Sequence, residues 1–286
     1  MTDVAGRGVQ SIEVGGRVLS VLAVARRPLM LRDIAVGADL TPAQAHAYLL
    51  SFRKIGLVEQ TTPSGLYQLG PFALQLGLAR LRSVNALRLA GDAVVELANE
   101  LGLMVTVTVW GSFGATIVQV QEGTDQIHAN VRAGAVYSLI GTATGRVFAA
   151  FLPPSVVAAH LQAERRDRAR RKRVGEMADE RAHTDAVATV RRLGYATTEG
   201  SPIPGVNALS APVFDHTRQI QLAVTIIGPA DIVEVGPQGP LAARLLAFTH
   251  DLSAQLGYSA AEPPAAPEPA QAVQGEVRKP CARHSA

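Results

Sequence analysis

Residues 31–69 constrain this chain most, because two short helical patterns run directly into two short strand patterns. The second helical pattern opens on Thr41-Pro42-Ala43-Gln44. A threonine N-cap accepts from a backbone N–H, a glutamine three residues later answers it, and proline suits the first helical position. Ala45, Leu49, Phe52 and Ile55 follow at helical spacing and are expected to form one buried stripe. Upstream, Leu31, Ile34 and Ala35 make a shorter amphipathic helix ending near Gly37, and residues 38–41 form the turn. Downstream, residues 57–60 and 66–69 alternate in polarity around Thr61-Thr62-Pro63-Ser64-Gly65, a β-hairpin with a five-residue loop. The pattern predicts a winged helix-turn-helix, a shape that lays its second helix in the major groove of DNA.

The exposed first turn of that helix carries Ala43, Gln44, His46 and Ala47, preceded by Thr41 and followed at the far end by Arg53 and Lys54. These seven are the candidate DNA-contacting residues. Gln44 suits a bidentate pair with adenine, and His46 a phosphate or a base edge. A solvated surface histidine is the competing reading of His46. Residues 1–75 hold seven Arg/Lys against five Asp/Glu, a balance of +2 that permits phosphate contact without demanding it. Protein-interaction modules share this shape, so the shape alone leaves DNA contact open.

The 286 residues suffice for two domains with ordinary cores, and 48% hydrophobic with 18% charged residues marks a globular chain. No run of 18 apolar residues exists, and no basic segment leads into an apolar one at the start. Neither a membrane span nor a signal peptide is expected, which places the chain in the cytoplasm. A single cysteine, Cys281, excludes an intrachain disulfide and a cysteine-rich zinc site. The seven histidines lack metal-ligand spacing, and neither a Gly-x-Ser-x-Gly elbow nor a phosphate-binding glycine loop is present. The expectation is no catalytic residue, no metal, no cofactor and no enzyme.

Residues 9–25 form an apolar-periodic helix with Val14, Val18, Leu19 and Leu22 inward, giving a DNA-binding domain over residues 9–70. Helical patterns at 72–81 and 86–101 make residues 71–101 a helical linker. From residue 102 strands are expected at 103–110, 115–121, 127–132, 208–214 and 220–227, with helices at 143–152, from 155, at 178–193 and at 241–256. That mixture implies an α+β domain over 102–258 with a largely antiparallel sheet. Residues 259–286 are rich in proline and alanine and are expected to be disordered. The basic run at 165–173 fits either phosphate contact or a solvated helical face.

The chain resembles the IclR family of bacterial transcription regulators over roughly residues 10–257. The N-terminal part does so through Ile34-Ala35, Ala45-His46, Tyr48-Leu49, Gly56-Leu57-Val58-Glu59 and Tyr67-Gln68-Leu69-Gly70. The C-terminal part does so through Thr142-Ala143-Thr144-Gly145-Arg146, Gly194-Tyr195-Ala196, Pro204-Gly205-Val206, Ala211-Pro212-Val213-Phe214-Asp215 and Gly228-Pro229. The resemblance implies a GAF-like effector-binding domain, homodimers or homotetramers, and a double-stranded operator read by paired recognition helices. Where relatives often carry basic residues, Pro42 and Ala47 stand here. A ligand sensor or scaffold that has lost specific DNA binding is therefore the alternative to a DNA-binding regulator.

The resemblance also implies an effector pocket between the sheet and the loop preceding the Thr142–Arg146 helix. It places Ser138, Leu139, Gly141, Thr142 and Ala143 on that loop and helix start, and Asn207, Ala208, Ser210, Thr225 and Ile227 on the facing strands. Trp110 is a further candidate, with plain core as its competing reading. Where relatives often have a cysteine near Ala208 and serines near Thr225 and Ile227, this chain is more apolar. The expected effector is a small organic acid with an apolar or aromatic body, its carboxylate toward residues 141–143.

Overall fold

The computed structural model describes residues 8–25, 27–124, 131–170, 180–236 and 239–259. They divide into two compact units whose boundary falls between residues 89 and 90. That boundary lies inside a helix, within the stretch 71–101 that the sequence assigns to a linker.

The first unit begins with α1 (Gln10–Ala25), α2 (Leu31–Gly37) and α3 (Pro42–Lys54), followed by the strands β1 (Val58–Gln60) and β2 (Tyr67–Leu69). The strands pair antiparallel, Val58 opposite Leu69 and Gln60 opposite Tyr67, and Leu29 adds a bridge to Tyr67. Val18, Leu22, Leu29, Ile34, Leu49, Val58 and Tyr67 fill the core. Gly15 lets α3 approach α1, because a Cβ there would meet the Phe52 ring at 2.8 Å. Ala45 and Leu49 are buried and Phe52 half-buried, but Ile55 is 56% exposed. The helix ends at Lys54, so Ile55 is its C-cap and leaves the stripe that helical spacing predicts. Helix α4 (Pro71–Ser83) follows and buries none of its residues.

Helix α5 (Ala86–Leu101) crosses into the second unit, where Ala90, Val94, Leu97 and Ala98 are buried. The sheet there has the order β5-β4-β3-β8-β7-β6, every pair antiparallel. Its strands are β3 (Met104–Gly111), β4 (Gly114–Gln121), β5 (Val136–Tyr137), β6 (Ala196–Thr198), β7 (Val206–Phe214) and β8 (Ile220–Pro229). Helices α6 (Ala143–Phe151), α7 (Pro154–Arg170) and α8 (Glu180–Leu193) lie between β5 and β6 in the chain. Val147 and Phe148 of α6 pack with Ala115, Ala223, Val187 and Val190 on one face of the sheet. On the other face Gln119 bonds the Gly91 carbonyl of α5, and Glu100 of α5 forms a bidentate ion pair with Arg244 of α9 (Pro240–Gln255).

Two strands, β5 and β6, are absent from the sequence expectation because they are only two and three residues long. Most of the expected strand at 127–132 falls outside the described residues, and Val131 and Arg132 are not in a strand. The end of the basic run at 165–173, Cys281 and the tail from residue 260 also lie outside them. No described helix is long and apolar enough to cross a membrane.

Candidate functional site

The first turns of α3 present Ala43, Gln44, His46 and Ala47 to solvent, with Thr41 just before and Arg53 and Lys54 exposed at the end. The start is locked by a full capping box. Gln44 N–H donates to Thr41 Oγ1 at 3.3 Å, and Gln44 Oε1 accepts from both Thr41 N–H and Thr41 O–H at 3.0 Å. The acceptor half of Gln44 is thus committed, which opposes the bidentate adenine pair expected from sequence. Arg53 Nη1 donates to Gln60 Oε1 on β1 at 2.9 Å, so this cation is tied to the wing.

In the second unit a cavity lies between the start of α6 and the sheet. It offers about 60 Å³ to the centres of water-sized spheres, several times what one water needs. Its roof is Thr142, Ala143 and Thr144, and its floor is Thr198, Val206, Ala208, Thr225 and Ile227. Strand register explains that floor: Thr198 and Ile227 both lie opposite Ala208 across the β6-β7-β8 ladder, so all three face one way. Ser201, Pro202 and Ile203 close one side and Val131 and Tyr137 another. Burial pushes the Tyr137 phenol pKa up, opposed by the neighbouring Thr106 hydroxyl.

The exposed surface inside is almost all carbon, and two lining hydroxyls, those of Thr144 and Thr225, are spent on one another. Thr144 and Thr225 hydroxyls meet at 2.7 Å, and Thr225 donates to Ser210 Oγ at 2.9 Å. At the roof, Thr142 Oγ1 donates to the Ser138 carbonyl and caps Gly145 N–H at 2.9 Å. The Arg146 N–H is held by the Thr142 carbonyl. The N–H groups of Ala143 and Thr144 keep no partner among the described residues.

Of the sequence candidates, Thr142, Ala143, Ala208, Thr225 and Ile227 line the cavity. The others stand off it, each for a physical reason. Ser138 is spent in the loop: its hydroxyl donates to Glu164 of α7 and accepts from Gly141 N–H, which occupies Gly141 too. Leu139 is fully buried in the α6 core. Asn207, one residue before Ala208, points to the opposite face and bridges Gly200 N–H to the Val233 carbonyl. Ser210 lies beneath Thr225 with no exposure. Trp110 packs half-buried on Phe148 and edge-on to His160, at centroid separations of 5.7 and 4.9 Å. Sequence reasoning misses Tyr137, Thr144, Thr198 and the 201–203 turn. Thr144 was legible in principle, because it follows Ala143 at a helix start.

Beside this wall, Arg146 Nη1 donates to the Thr197 carbonyl at 2.8 Å while burial lowers the guanidinium pKa.

Two family models match: the IclR helix-turn-helix domain over residues 11–62, and the C-terminal domain of the bacterial transcriptional regulator IclR over residues 78–254. The chain belongs to the IclR family of bacterial transcriptional regulators. It is therefore a DNA-binding regulator, and the families and relatives it matches are regulators rather than enzymes. It is 34% identical over 254 residues to a glycerol operon regulatory protein of Streptomyces griseus, covering 87% of this chain and 96% of that one. Among solved structures, Pseudomonas aeruginosa HmgR is 35% identical with a TM-score of 0.78, covering 88% of this chain and all of that one. The Agobacterium tumefaciens repressor BlcR shares the fold at a TM-score of 0.70 and 19% identity, covering 89% of this chain and all of that one.

Proposed function

We propose that this IclR-family regulator is switched by a small organic acid with an apolar, aromatic body bound between α6 and the sheet. The carbon-lined cavity beneath two unpartnered N–H groups carries this reading. The body gains about 25 cal/mol for each Å² of apolar surface it buries. The carboxylate accepts from Ala143 and Thr144 N–H, where the positive end of the α6 dipole favours an anion. A polyol would set its hydroxyls against carbon, at roughly 1–3 kcal/mol for each one left unpaired. The operon named for the Streptomyces relative is accordingly no guide to the effector here.

In the first unit, α3 enters the major groove of a double-stranded operator with Thr41, Ala43, Gln44, His46 and Ala47 toward the bases and Arg53 and Lys54 toward phosphate. Paired helices need an even-numbered oligomer, a homodimer or homotetramer. Exposed apolar residues on α4 favour such pairing: Leu74, Leu78 and Leu81 share one helix face and are 65%, 41% and 43% exposed. The protein acts in the cytoplasm, where operator DNA resides.

Calorimetric titration of the purified chain with benzoate-type and short aliphatic carboxylates tests the effector site. Saturable binding of an aromatic acid that disappears in Ala208→Leu, which fills the cavity, is the expected result. Absence of saturable binding, or binding untouched by Ala208→Leu, refutes it.

A further inference from the structure

We propose that Gln44 reads its base as a hydrogen-bond donor only, so that it favours guanine, rejects cytosine and does not specify adenine. The proposal rests on the reading that α3 enters the major groove.

Three hydrogen bonds fix the orientation of the side-chain amide. Thr41 N–H is a donor with no alternative role, so the atom 3.0 Å from it must be the Gln44 oxygen. The same oxygen takes the Thr41 hydroxyl proton at 3.0 Å, while Thr41 Oγ1 accepts Gln44 N–H. With both its lone-pair sites used, Oε1 has nothing left for a base. Nε2 has no partner among the described residues, and Gln44 is exposed on the first turn of the helix.

A bidentate pair with adenine needs an acceptor for N6–H₂ and a donor for N7 from one amide. Keeping the capping box removes the first of these. A lone NH₂ is matched instead by any base-edge acceptor, N7 of either purine or O4 of thymine, best by the adjoining N7 and O6 acceptors of guanine, and is rejected by the N4–H₂ donor of cytosine. The neighbours fit a sparse reading face: Ala43 and Ala47 offer methyl groups suited to thymine C5-methyl contact, and neither competes for the same acceptor.

The test is selection of duplexes from a randomised library by the full chain, in wild type and two variants. Gln44→Glu retains the capping box, since glutamate serves equally at that position, but turns the outward donor into an acceptor. Gln44→Ala removes both functions. The wild type is expected to enrich one position per half-site for guanine, by roughly three- to tenfold over cytosine. Gln44→Glu is expected to invert that position to cytosine while melting at the wild-type temperature. Gln44→Ala is expected to lose the preference and melt a few degrees lower.

Strict adenine in the wild type, abolished by Gln44→Glu, overturns the proposal, as does a Gln44→Glu consensus identical to wild type. If no sequence is enriched by the wild type, the groove-reading premise and the proposal fall together. A consensus that survives in every other position when only this one inverts shows the premise standing independently.

Discussion

Thr144 of α6 and Thr225 of β8 meet hydroxyl to hydroxyl at 2.7 Å, and this contact withdraws two hydroxyls from the cavity wall. Because the single Thr225 proton goes to Ser210, Thr144 must be the donor in the pair. Replacing Thr225 by valine preserves shape but leaves the Thr144 proton and the Ser210 oxygen unpaired in a fully buried place. Thr225→Val is expected to lower stability by about 1–3 kcal/mol. The double variant Thr144→Val/Thr225→Val is expected to cost less than the two single changes added together. Denaturant titration of the four proteins measures the coupling, and strict additivity contradicts it.

Gly145 sits directly under the loop that leads into α6. A Cβ there would collide with the Ser138 carbonyl oxygen and stand 2.6 Å from Leu139 Cα. Gly145→Ala is expected to cost about 1–3 kcal/mol by overpacking and to push the loop away from α6. On the far side of the same loop, the Glu164 carboxylate accepts from the Ser138 hydroxyl and from Leu139 N–H at 3.1 Å. Glu164→Ala is expected to speed amide exchange at residues 138–145, with Glu164→Gln intermediate because it keeps one acceptor. Hydrogen-exchange mass spectrometry reads both variants, and unchanged exchange in Glu164→Ala refutes the clamp.

Glu100 and Arg244 join α5 to α9 through two hydrogen bonds of 2.8 and 2.6 Å. The hydrogen bond from Arg244 holds the Glu100 carboxyl below its usual pKa. A carboxylate depressed in the folded state stabilises it above the unfolded pKa and loses that effect as pH falls through the folded value. The pair is solvent-exposed, so its worth is about 0.5 kcal/mol and shrinks with salt. Glu100→Gln is expected to melt slightly below wild type at neutral pH and to converge with it below about pH 4. A difference that persists in acid contradicts the ion-pair account.

The first unit is almost wholly legible in the sequence, because its signals are local. The Thr41-Pro42-Ala43-Gln44 start, Gly37 and the 61–65 turn each act within a few residues, and the structure places α2, α3 and the wing accordingly. What those signals hide is a conflict of roles at Gln44. The cap and the base pair compete for one oxygen, and the spacing that reveals the cap says nothing about the competition. The second unit is legible in its long strands, whose alternation is strong, but not in β5 and β6, where two or three residues carry no period. The cavity is the least legible part. Its floor depends on which face each strand residue takes, and a one-residue step separates Ala208 in the floor from Asn207 on the opposite face. Pro202 and Ile203 reach the site by tertiary folding alone.

The central claim is that one small acid, held under α6, alters how α3 holds DNA. Fluorescence anisotropy of a labelled duplex from the region upstream of the chain's own gene, titrated with the full protein, measures this directly. Wild type is expected to bind the duplex saturably, and one aromatic carboxylate is expected to shift its apparent Kd by roughly 5- to 150-fold. Ala208→Leu is expected to bind the same DNA and to ignore the acid. DNA binding that no carboxylate changes, or a shift of equal size in Ala208→Leu, contradicts the account.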